Sequence, residues 1–405
     1  MAGRSAHNPA PSQIQTLSPW SALKHRRFRW LWFANICSQE GIWLNSLSGA
    51  WLMATMSQSP TMVALVQTAI YAPTCFLTVI AGVLADRWDR KLCLLGAQYL
   101  MIFASIGMAV LAFGQAFSPW LLLGAIFAFN CGWALSIPAW QALSADLVEP
   151  EEIIAISSLG TISFNVARVI GSPIIGVGLG FGVLFTVSAA CLVPMAGALI
   201  LTHTSRARHC VMRDEAGFWR ELLSVSRVSG FGRFLMLIAI VSVGSSALWA
   251  LVPFVTAAHN LGASTMGLAM ASLGAGAIIG AQLLPLLGRG LNADGLICVG
   301  GCAMAAAVGA IAVADSRVAL ALVVLVAGAG YSIMSSLLCG AAQALFDAAA
   351  RGRGAAIYTT VSYAAFAVGG ALWGAIASLG GVVLSLLCAA ATLLVAGALA
   401  RKCEG

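Results

Sequence analysis

Charged side chains are scarce in this chain. Asp, Glu, Lys and Arg make up only 9% of its 405 residues, whereas a soluble domain carries about 25%. Hydrophobic residues account for 60%, and apolar stretches of about 20 residues, the length that a helix needs to cross a bilayer, recur throughout. The shortage of charge excludes a soluble globular protein and predicts an all-α integral membrane protein.

Other signals are also missing from the sequence. Most of the eleven cysteines lie in apolar stretches, where Cys acts as a small hydrophobic residue, and no spacing typical of a metal site or disulfide framework occurs. No nucleotide-binding loop is present, so we expect neither an enzyme nor a metal or cofactor. The polar first 27 residues lack the pattern of a cleaved signal peptide.

The apolar stretches predict twelve transmembrane helices, named spans 1 to 12. They are 30–56, 61–85, 92–113, 118–142, 155–178, 181–202, 234–257, 264–288, 295–314, 318–342, 353–377 and 380–400. The only long polar interruption, 203–233, contains six Arg. We therefore expect two six-helix bundles, 30–202 and 234–400, joined by this linker and flanked by tails at 1–29 and 401–405.

The distribution of cations predicts the orientation in the membrane. With an even number of spans, both termini lie on the same side, and 19 of the 21 Lys and Arg fall there. Arg317 falls on the other side and Arg168 within span 5. Because cytoplasmic loops collect cations, we expect cytoplasmic termini and a location in the bacterial inner membrane. The same rule explains the net charge of +7 without nucleic-acid binding.

The two halves have similar motifs at corresponding positions. Residues 171–176 of span 5 and 369–374 of span 11 both begin and end with Gly, and Gln-Ala-Leu recurs at 141–143 and 343–345. Together with the division into six plus six spans, this favours a duplicated transporter whose halves rock about a central site.

The loop between spans 2 and 3 concentrates charge in the sequence Gly82-Val-Leu-Ala-Asp86-Arg87-Trp-Asp89-Arg90-Lys91. It resembles the signature of the major facilitator superfamily, Gly-x-x-x-Asp-Arg/Lys-x-Gly-Arg/Lys-Arg/Lys, with Asp at the usual second Gly. This variant, with residues 138–148 and 162–171, is similar to the branch of the enterobactin exporter and macrolide efflux proteins. The resemblance covers nearly the whole chain and implies the major facilitator fold of two pseudo-symmetric bundles.

The resemblance also implies a conformational gate at this loop. In the family, the loop forms a network with an acidic residue at the end of span 4, here Asp146, and we expect Arg90 to pair with it. Gly82 would permit close helix approach. The complete predicted gate is Gly82, Asp86, Arg87, Arg90, Lys91 and Asp146. The alternative is that these charges only set the topology.

Two charged residues fall near the middle of spans, Glu40 in span 1 and Arg168 in span 5. A charge at that depth costs about 2.5–3.5 kcal/mol on insertion scales, so we expect them to be coupled, with Glu40 taking up a proton. A static ion pair or a substrate contact is the alternative. Gly171, Pro173 and Gly176 resemble the span-5 antiporter motif of the family, although a closely packed glycine helix explains them equally well.

Amides and aromatic residues inside the spans are candidates for a cavity wall that would suit an amphipathic ligand. They are Asn35, Gln39, Asn45, Gln67, Asn130, Trp249, Gln282, Tyr358 and Tyr363. Each of them could instead make an interhelical hydrogen bond or pack against a neighbour.

The sequence thus predicts a monomeric secondary transporter in the lipid bilayer. We expect proton-coupled export of a small amphipathic compound, of drug or siderophore type, by alternating access, with the transmembrane proton gradient as energy source. An importer of an iron chelate or metabolite is the first alternative. A nontransporting sensor or scaffold is the second.

Overall fold

The computed structural model describes residues 19–113, 118–149, 183–202, 231–344 and 351–401, together with isolated positions between 152 and 178. Within this part of the chain every regular element is helical. The long helices are α1 Arg26–Met56, α2 Pro60–Arg87, α3 Arg90–Phe113, α4 Pro119–Ala145, α5 Val183–Thr202, α6 Phe231–Ala258, α7 Ala263–Leu287, α8 Ala293–Ala310, α9 Arg317–Ala344, α10 Arg351–Gly380 and α11 Val382–Arg401. Short 3-10 helices, Pro19–Lys24 and Ile311–Val313, precede α1 and follow α8.

These helices coincide with eleven of the predicted spans. Helices α1 to α4 correspond to spans 1 to 4, α5 to span 6, and α6 to α11 to spans 7 to 12. The described residues from Ile156 to Gly178 in span 5 are also helical. Over the described residues, nine helices are long and apolar enough to cross a membrane, which confirms the prediction of an all-α, multi-pass membrane protein. Residues 203–230 of the predicted linker lie outside the described residues, and α6 begins three residues before predicted span 7.

Proline and capping residues set several helix starts. Pro60 and Pro119 occupy the first positions of α2 and α4, where the missing N–H leaves no intrahelical bond unmade. Ser118 accepts a hydrogen bond from the Leu121 N–H at 3.2 Å. At the start of α8, Asn292 Oδ1 accepts from the Gly295 N–H at 3.0 Å. Inside the bilayer, where water is absent, the helices satisfy their remaining backbone groups internally.

The helices pack as two sets. In the N-terminal set, α3 packs on α4, α2 on α4, and α1 on α5; in the C-terminal set, α7 packs on α9, α8 on α11, and α6 on α10. Contacts between the sets join α2 to α10, α2 to α6, and α1 to α6. We call the end of the molecule where α1 begins and α11 ends the terminal face, and the end where α1 is followed by α2 the opposite face.

Candidate functional site

A cavity of about 920 Å³ lies between the two helix sets. Its wall contains residues of α1, α2, α4 and span 5 on one side and of α6, α7, α9 and α10 on the other. Pockets for drug-sized ligands typically measure about 300–1,000 Å³. The position between the two halves, near the middle of their helices, makes this cavity the candidate substrate site.

The cavity reaches the terminal face and stops short of the opposite face. Along α9 the lining extends to Gln343, one residue before that helix ends at Ala344 on the terminal face. Toward the opposite face it ends at Ala50 in α1 and Gln67 in α2, roughly two helical turns from the ends of these helices. In the part of the chain that the structure describes, the site is therefore open toward the terminal face.

Hydrogen bonds between α2 and α10 close the opposite face. Thr61 Oγ1 donates to the Gly374 carbonyl at 3.0 Å and lies 2.6 Å from Ser378 Oγ. About two helical turns deeper toward the cavity, Thr68 Oγ1 donates to the Ala367 carbonyl at 2.7 Å. Each bond joins the N-terminal half to the C-terminal half, so together they hold the halves closed at this end.

Two glycines of α10 allow this close approach to α2. A Cβ added at Gly374 would lie 2.7 Å from Ala64 Cβ, and one added at Gly370 would lie 2.9 Å from the Ala64 carbonyl oxygen. Side chains at these positions would force the helices apart. Part of the glycine motif at 369–374 therefore belongs to the closed contact between the halves.

Six aromatic rings form a continuous cluster in the cavity wall, and both halves contribute to it. The aromatic cluster consists of Tyr71, Trp133, Trp249, Tyr331, Tyr363 and Phe366. Ring centroids lie 5.1 Å apart for Tyr71 and Tyr363 and 5.6 Å apart for Trp133 and Tyr363, across the interface between the halves. Trp249 continues the cluster at 5.3 Å from Phe366. Such rings offer flat apolar surfaces to a ligand.

Polar lining groups are concentrated in the C-terminal half. They are Gln282, Tyr331, Ser332, Ser335, Ser336, Gln343, Tyr358, Thr359, Ser362 and Tyr363. The described wall of the N-terminal half is mainly apolar, with hydroxyl groups from Ser46 and Tyr71 and an amide from Gln67, and no described lining residue is charged. The cavity therefore has an apolar wall and a hydroxyl- and amide-bearing wall.

Some buried donors of the wall have no acceptor among the described residues. They are Gln67 Nε2, Trp43 Nε1 and Trp249 Nε1. An unsatisfied buried donor costs about 1–3 kcal/mol. A bound compound or a second conformation that supplies an acceptor to them would be favoured by that amount.

The predicted cavity candidates separate into two groups. Gln67, Trp249, Gln282, Tyr358 and Tyr363 line the cavity. The remaining four, Asn35, Gln39, Asn45 and Asn130, do not.

Local contacts explain why the second group lies elsewhere. Asn45 Nδ2 is 3.3 Å from Met108 Sδ of α3, and Asn130 Nδ2 donates to the Ile126 carbonyl of its own helix at 2.8 Å. Asn35 lines a separate small pocket within the N-terminal set. The placement of these residues on the cavity was wrong, because periodicity alone does not show which neighbour a helix face meets.

At the terminal face, Arg90 is brought together with Asp146. Arg90 Nη1 donates to Asp146 Oδ2 at 2.5 Å and approaches the Ala142 carbonyl at 3.4 Å. The contact joins the start of α3 to the end of α4. Both helices belong to the N-terminal set, so the pair does not bridge the two halves in this state.

Two neighbours of Arg90 act as helix caps, which the sequence reasoning missed. Asp89 Oδ1 accepts the Lys91 N–H at 2.8 Å at the start of α3, the usual role of Asp before a helix. Lys91 Nζ donates to the Thr202 carbonyl at 3.1 Å, where a cation is favourable against the C-terminal dipole of α5. The preference of Asp for N-cap positions was the available signal for Asp89.

The other gate residues give less support to the predicted network. A Cβ added at Gly82 would meet no described atom within 4 Å, so close helix approach at Gly82 stays a prediction. The side chains of Asp86 and Arg87 lie outside the described residues, so their roles remain predictions.

Glu40 of α1 packs against span 5. A Cβ added at Gly171 would lie 2.7 Å from Glu40 Oε2, so the carboxylate fits against a residue without a side chain. Arg168, Pro173 and Gly176 lie outside the described residues. The pairing of Glu40 with Arg168 therefore remains a prediction.

Tyr71, Trp133, Tyr331 and Phe366 were not predicted as site residues. Aromatic residues in apolar helices usually pack in a core. The sequence therefore provided no specific reason to assign these four to a ligand site. Helical spacing was an available signal, since Tyr71 follows Gln67 by four residues and Phe366 follows Tyr363 by three, which places each pair on one helix face.

Comparison with known proteins identifies related sequences. The sequence profile of a family described as transmembrane secretion effector matches residues 17–404. An uncharacterized MFS-type transporter of Bacillus subtilis (strain 168) is 27% identical over 186 residues, which cover 45% of this chain and 40% of that protein. Macrolide efflux protein A of Enterococcus faecalis is 24% identical over 155 residues, which cover 37% of this chain and 44% of that protein. The matched segments thus span less than half of each relative.

Solved structures share the architecture. A crystal structure of a variant of the nucleoside transporter NupG superposes with a TM-score of 0.76 at 12% identity, covering 93% of this chain and 99% of that chain. The POT family transporter PepTSo gives a TM-score of 0.74 at 10% identity, covering 93% and 97%. At these identities the likeness concerns the fold alone, and it confirms the predicted fold.

Proposed function

Because this chain belongs to the transmembrane secretion effector family of major facilitator transporters, we propose that it exports a small amphipathic compound by alternating access, driven by the proton gradient. The observation that carries the proposal is the cavity between the halves, open at the terminal face while α2 and α10 close the opposite face. Transporters of this construction expose one central site to each side in turn.

The sidedness of the molecule and the name of one relative support the proposed direction of export, although an importer also passes through a state open to the cytoplasm. The cations that favour a cytoplasmic location lie on the loops and tails of the terminal face. The open cavity then faces the cytoplasm and is in the state that receives a compound for export. The efflux function named for a relative in Enterococcus faecalis supports the same direction.

The substrate class follows from the two walls of the cavity. The aromatic cluster offers stacking surfaces to a flat or apolar part of a ligand. The hydroxyl and amide groups of α9 and α10 lie in the other wall and suit a hydroxyl-, ester- or amide-bearing part. A drug-sized molecule with one apolar side and one uncharged polar side fits this cavity best.

Proton coupling is assigned to Glu40. Its carboxylate lies against Gly171 of span 5, so movement of α1 relative to span 5 would change its surroundings. Desolvation favours the neutral acid, and a nearby cation favours the carboxylate. A conformational change that alternates these surroundings would bind and release a proton.

The terminal-face contacts of Arg90, Asp146 and Lys91 have a related role in the proposal. They tie together the ends of α3, α4 and α5. A rigid end of the N-terminal half provides one surface against which the C-terminal half closes when the site turns to the opposite face. In the state that is open at the terminal face, these gate residues therefore have a positioning role.

Transport by membrane vesicles tests the proposal. Radiolabelled chloramphenicol, an uncharged nitrophenyl compound with an amide and two hydroxyls, and erythronolide B, an uncharged macrolactone, serve as probes. We expect everted vesicles with an acidic interior to accumulate at least one probe, a protonophore to abolish accumulation, and Tyr363→Leu in the aromatic cluster to reduce it. Phe113→Leu, on an exposed apolar surface, is the matched aromatic control.

Each contrary result has a defined meaning. Proton-driven accumulation only in right-side-out vesicles would reverse the direction and indicate an importer. Absence of gradient-dependent accumulation of either probe in both orientations would contradict the proposed transport of this substrate class.

A further inference from the structure

The first two turns of α1 have two distinct faces. On one face Phe28, Leu31 and Trp32 are buried, and Trp32 Nε1 donates to the Leu159 carbonyl of span 5 at 3.1 Å. On the other face four side chains are exposed, and we call them the arginine face: Arg26, Arg29, Trp30 and Phe33. The buried face fixes how the arginine face is presented at the surface.

A buried carboxylate holds the segment before α1 in place. Glu152 is only 1% exposed, and its Oε1 lies 3.0 Å from Lys24 Nζ. His25 Nε2 donates to Glu152 Oε2 at 2.7 Å. Lys24 and His25 therefore have their partner, Glu152, within the protein. The cations that follow them in the chain do not pair with this carboxylate.

Among the residues that the structure describes, those cations have no counter-charge. Arg26, Arg27 and Arg29 are exposed, make no ion pair with the described residues, and the first turn of α1 contains no acidic residue. Cations at a helix N-terminus oppose the helix dipole and are unfavourable there. An external anion would remove this penalty.

Along the arginine face, the cations lie closer to the terminal face than the aromatic rings do, which is the order in which these groups occur at a membrane interface. Arg26 precedes the exposed ring of Trp30 by four residues, and Arg29 precedes that of Phe33 by four, so the backbone of each cation lies about 6 Å further toward the terminal face than that of a ring. The two rings adjoin, with centroids 6.4 Å apart. Aromatic rings favour the interfacial region, and cations favour anionic headgroups just outside it.

We propose that the arginine face binds the headgroups of anionic phospholipids. The rings lie among the upper parts of the acyl chains, and the guanidinium groups pair with the phosphates. Because the same segment is tied to Glu152, a bound lipid also stabilises the packing of the start of α1 against span 5. This inference does not depend on which compound is transported or in which direction.

Native mass spectrometry tests the proposal on the full-length protein. The protein is released from nanodiscs of equal parts phosphatidylglycerol and phosphatidylcholine, and the retained lipids are counted. We expect phosphatidylglycerol to be enriched and the double variant Arg26→Gln/Arg29→Gln to weaken its binding by about 30-fold at low salt, the loss expected for two cations near an anionic surface. Arg289→Gln, which removes an exposed cation from another loop of the terminal face, should leave enrichment unchanged.

Three results would overturn the proposal. They are equal retention of the two lipids, unchanged enrichment in the double variant, and an equal loss in Arg289→Gln, which would indicate nonspecific charge. Competition with soluble glycerol phosphate separates a lipid surface from a free-anion site, since displacement of lipid at millimolar concentration would favour the latter. The unfolding temperature of each variant in uncharged detergent verifies folding, and if the double variant unfolds, the single variant Arg29→Gln replaces it.

Discussion

At the scale of single residues, Arg90 and Asp146 show that a charged pair can be important without joining the two halves. Their side chains are 18% and 28% exposed, so solvent screens the attraction and the pair contributes at most about 1 kcal/mol to stability. Its value in the proposed mechanism is positional, because it fixes the start of α3 relative to the end of α4.

A charge-swap experiment separates the positioning role of the Arg90–Asp146 pair from its contribution to the stability of the protein. We expect Arg90→Gln and Asp146→Asn each to lower transport severalfold while changing the unfolding free energy by about 1 kcal/mol or less. The exchanged variant Arg90→Asp/Asp146→Arg should recover part of the flux. Independent, additive losses of flux with no recovery in the exchanged variant would show that the pair does not act as a unit.

Glu152 gives a pH prediction with a defined sign. Burial opposes ionisation of this carboxyl, but hydrogen bonds from Lys24 and His25 outweigh burial and hold its pKa below the ordinary value of 4.5. A lowered pKa contributes stability above the pKa of the unfolded chain, and that stability is lost as the pH falls through the folded pKa. Between about pH 5 and pH 3, the wild-type unfolding temperature should fall more steeply than that of Glu152→Gln. Parallel curves over this range would refute the pKa assignment.

Glu40 is the residue on which proton coupling depends. Replacing it with the isosteric, neutral Gln removes the titration while keeping the contact with Gly171. We expect Glu40→Gln to bind substrate and to exchange it across the membrane, but to lose accumulation driven by a pH gradient. Full gradient-driven accumulation in this variant would remove Glu40 from the mechanism. Thr55→Ala, in the same helix and outside the cavity lining, serves as the control for a general disturbance of α1.

At the scale of helices, glycines distinguish contacts within a half from contacts between halves. A Cβ at Gly276 of α7 would overlap the Leu325 carbonyl of α9, and this contact lies within the C-terminal set. A Cβ at Gly374 would crowd Ala64 and Thr61 of α2 in the other half. The first contact should be needed in every state, and the second only when the opposite face is closed.

Gly374→Ala should therefore shift the conformational equilibrium without unfolding the protein. Overpacking costs about 1–3 kcal/mol, and about 1.4 kcal/mol is a factor of ten, so we expect the state closed at the opposite face to lose roughly tenfold in population. Spin labels at Gln58 and Leu379, both exposed at that face, would report the opening. Gly124→Ala, where a Cβ has open space, should change nothing, and Gly276→Ala should instead lower the unfolding temperature.

At the scale of the whole molecule, sequence predicted the helices better than the site. Helix positions follow from apolar length, which the bilayer dictates, and the predicted spans agree with the observed helices to within a few residues. Side-chain direction depends on which neighbours surround each helix. For that reason Gln67 and Gln282 were assigned to the cavity correctly, whereas Asn45 and Asn130 lie inside the N-terminal set. Aromatic residues such as Trp133 were overlooked because their chemistry suits a packed core as well as a ligand site.

The two ends of the molecule have different kinds of contact in this state. At the opposite face, hydroxyl donors and glycines join α2 to α10. At the terminal face, the contacts of Arg90 with Asp146 and of Lys91 with Thr202 lie within the N-terminal set, and the described residues leave the cavity open there. Alternating access requires that closure move from one end to the other while the aromatic cluster stays between them.

Paired distance measurements test alternating access most directly. In a cysteine-free background, spin labels at Gln58 and Leu379 report the opposite face, and labels at Glu149 and Arg289 report the terminal face. When a transported probe is added at acidic pH, alternating access predicts that the distance distribution of the first pair shifts to longer values while that of the second shifts to shorter values. If both pairs lengthen together, or neither changes although the probe is bound, alternating access about this cavity is contradicted.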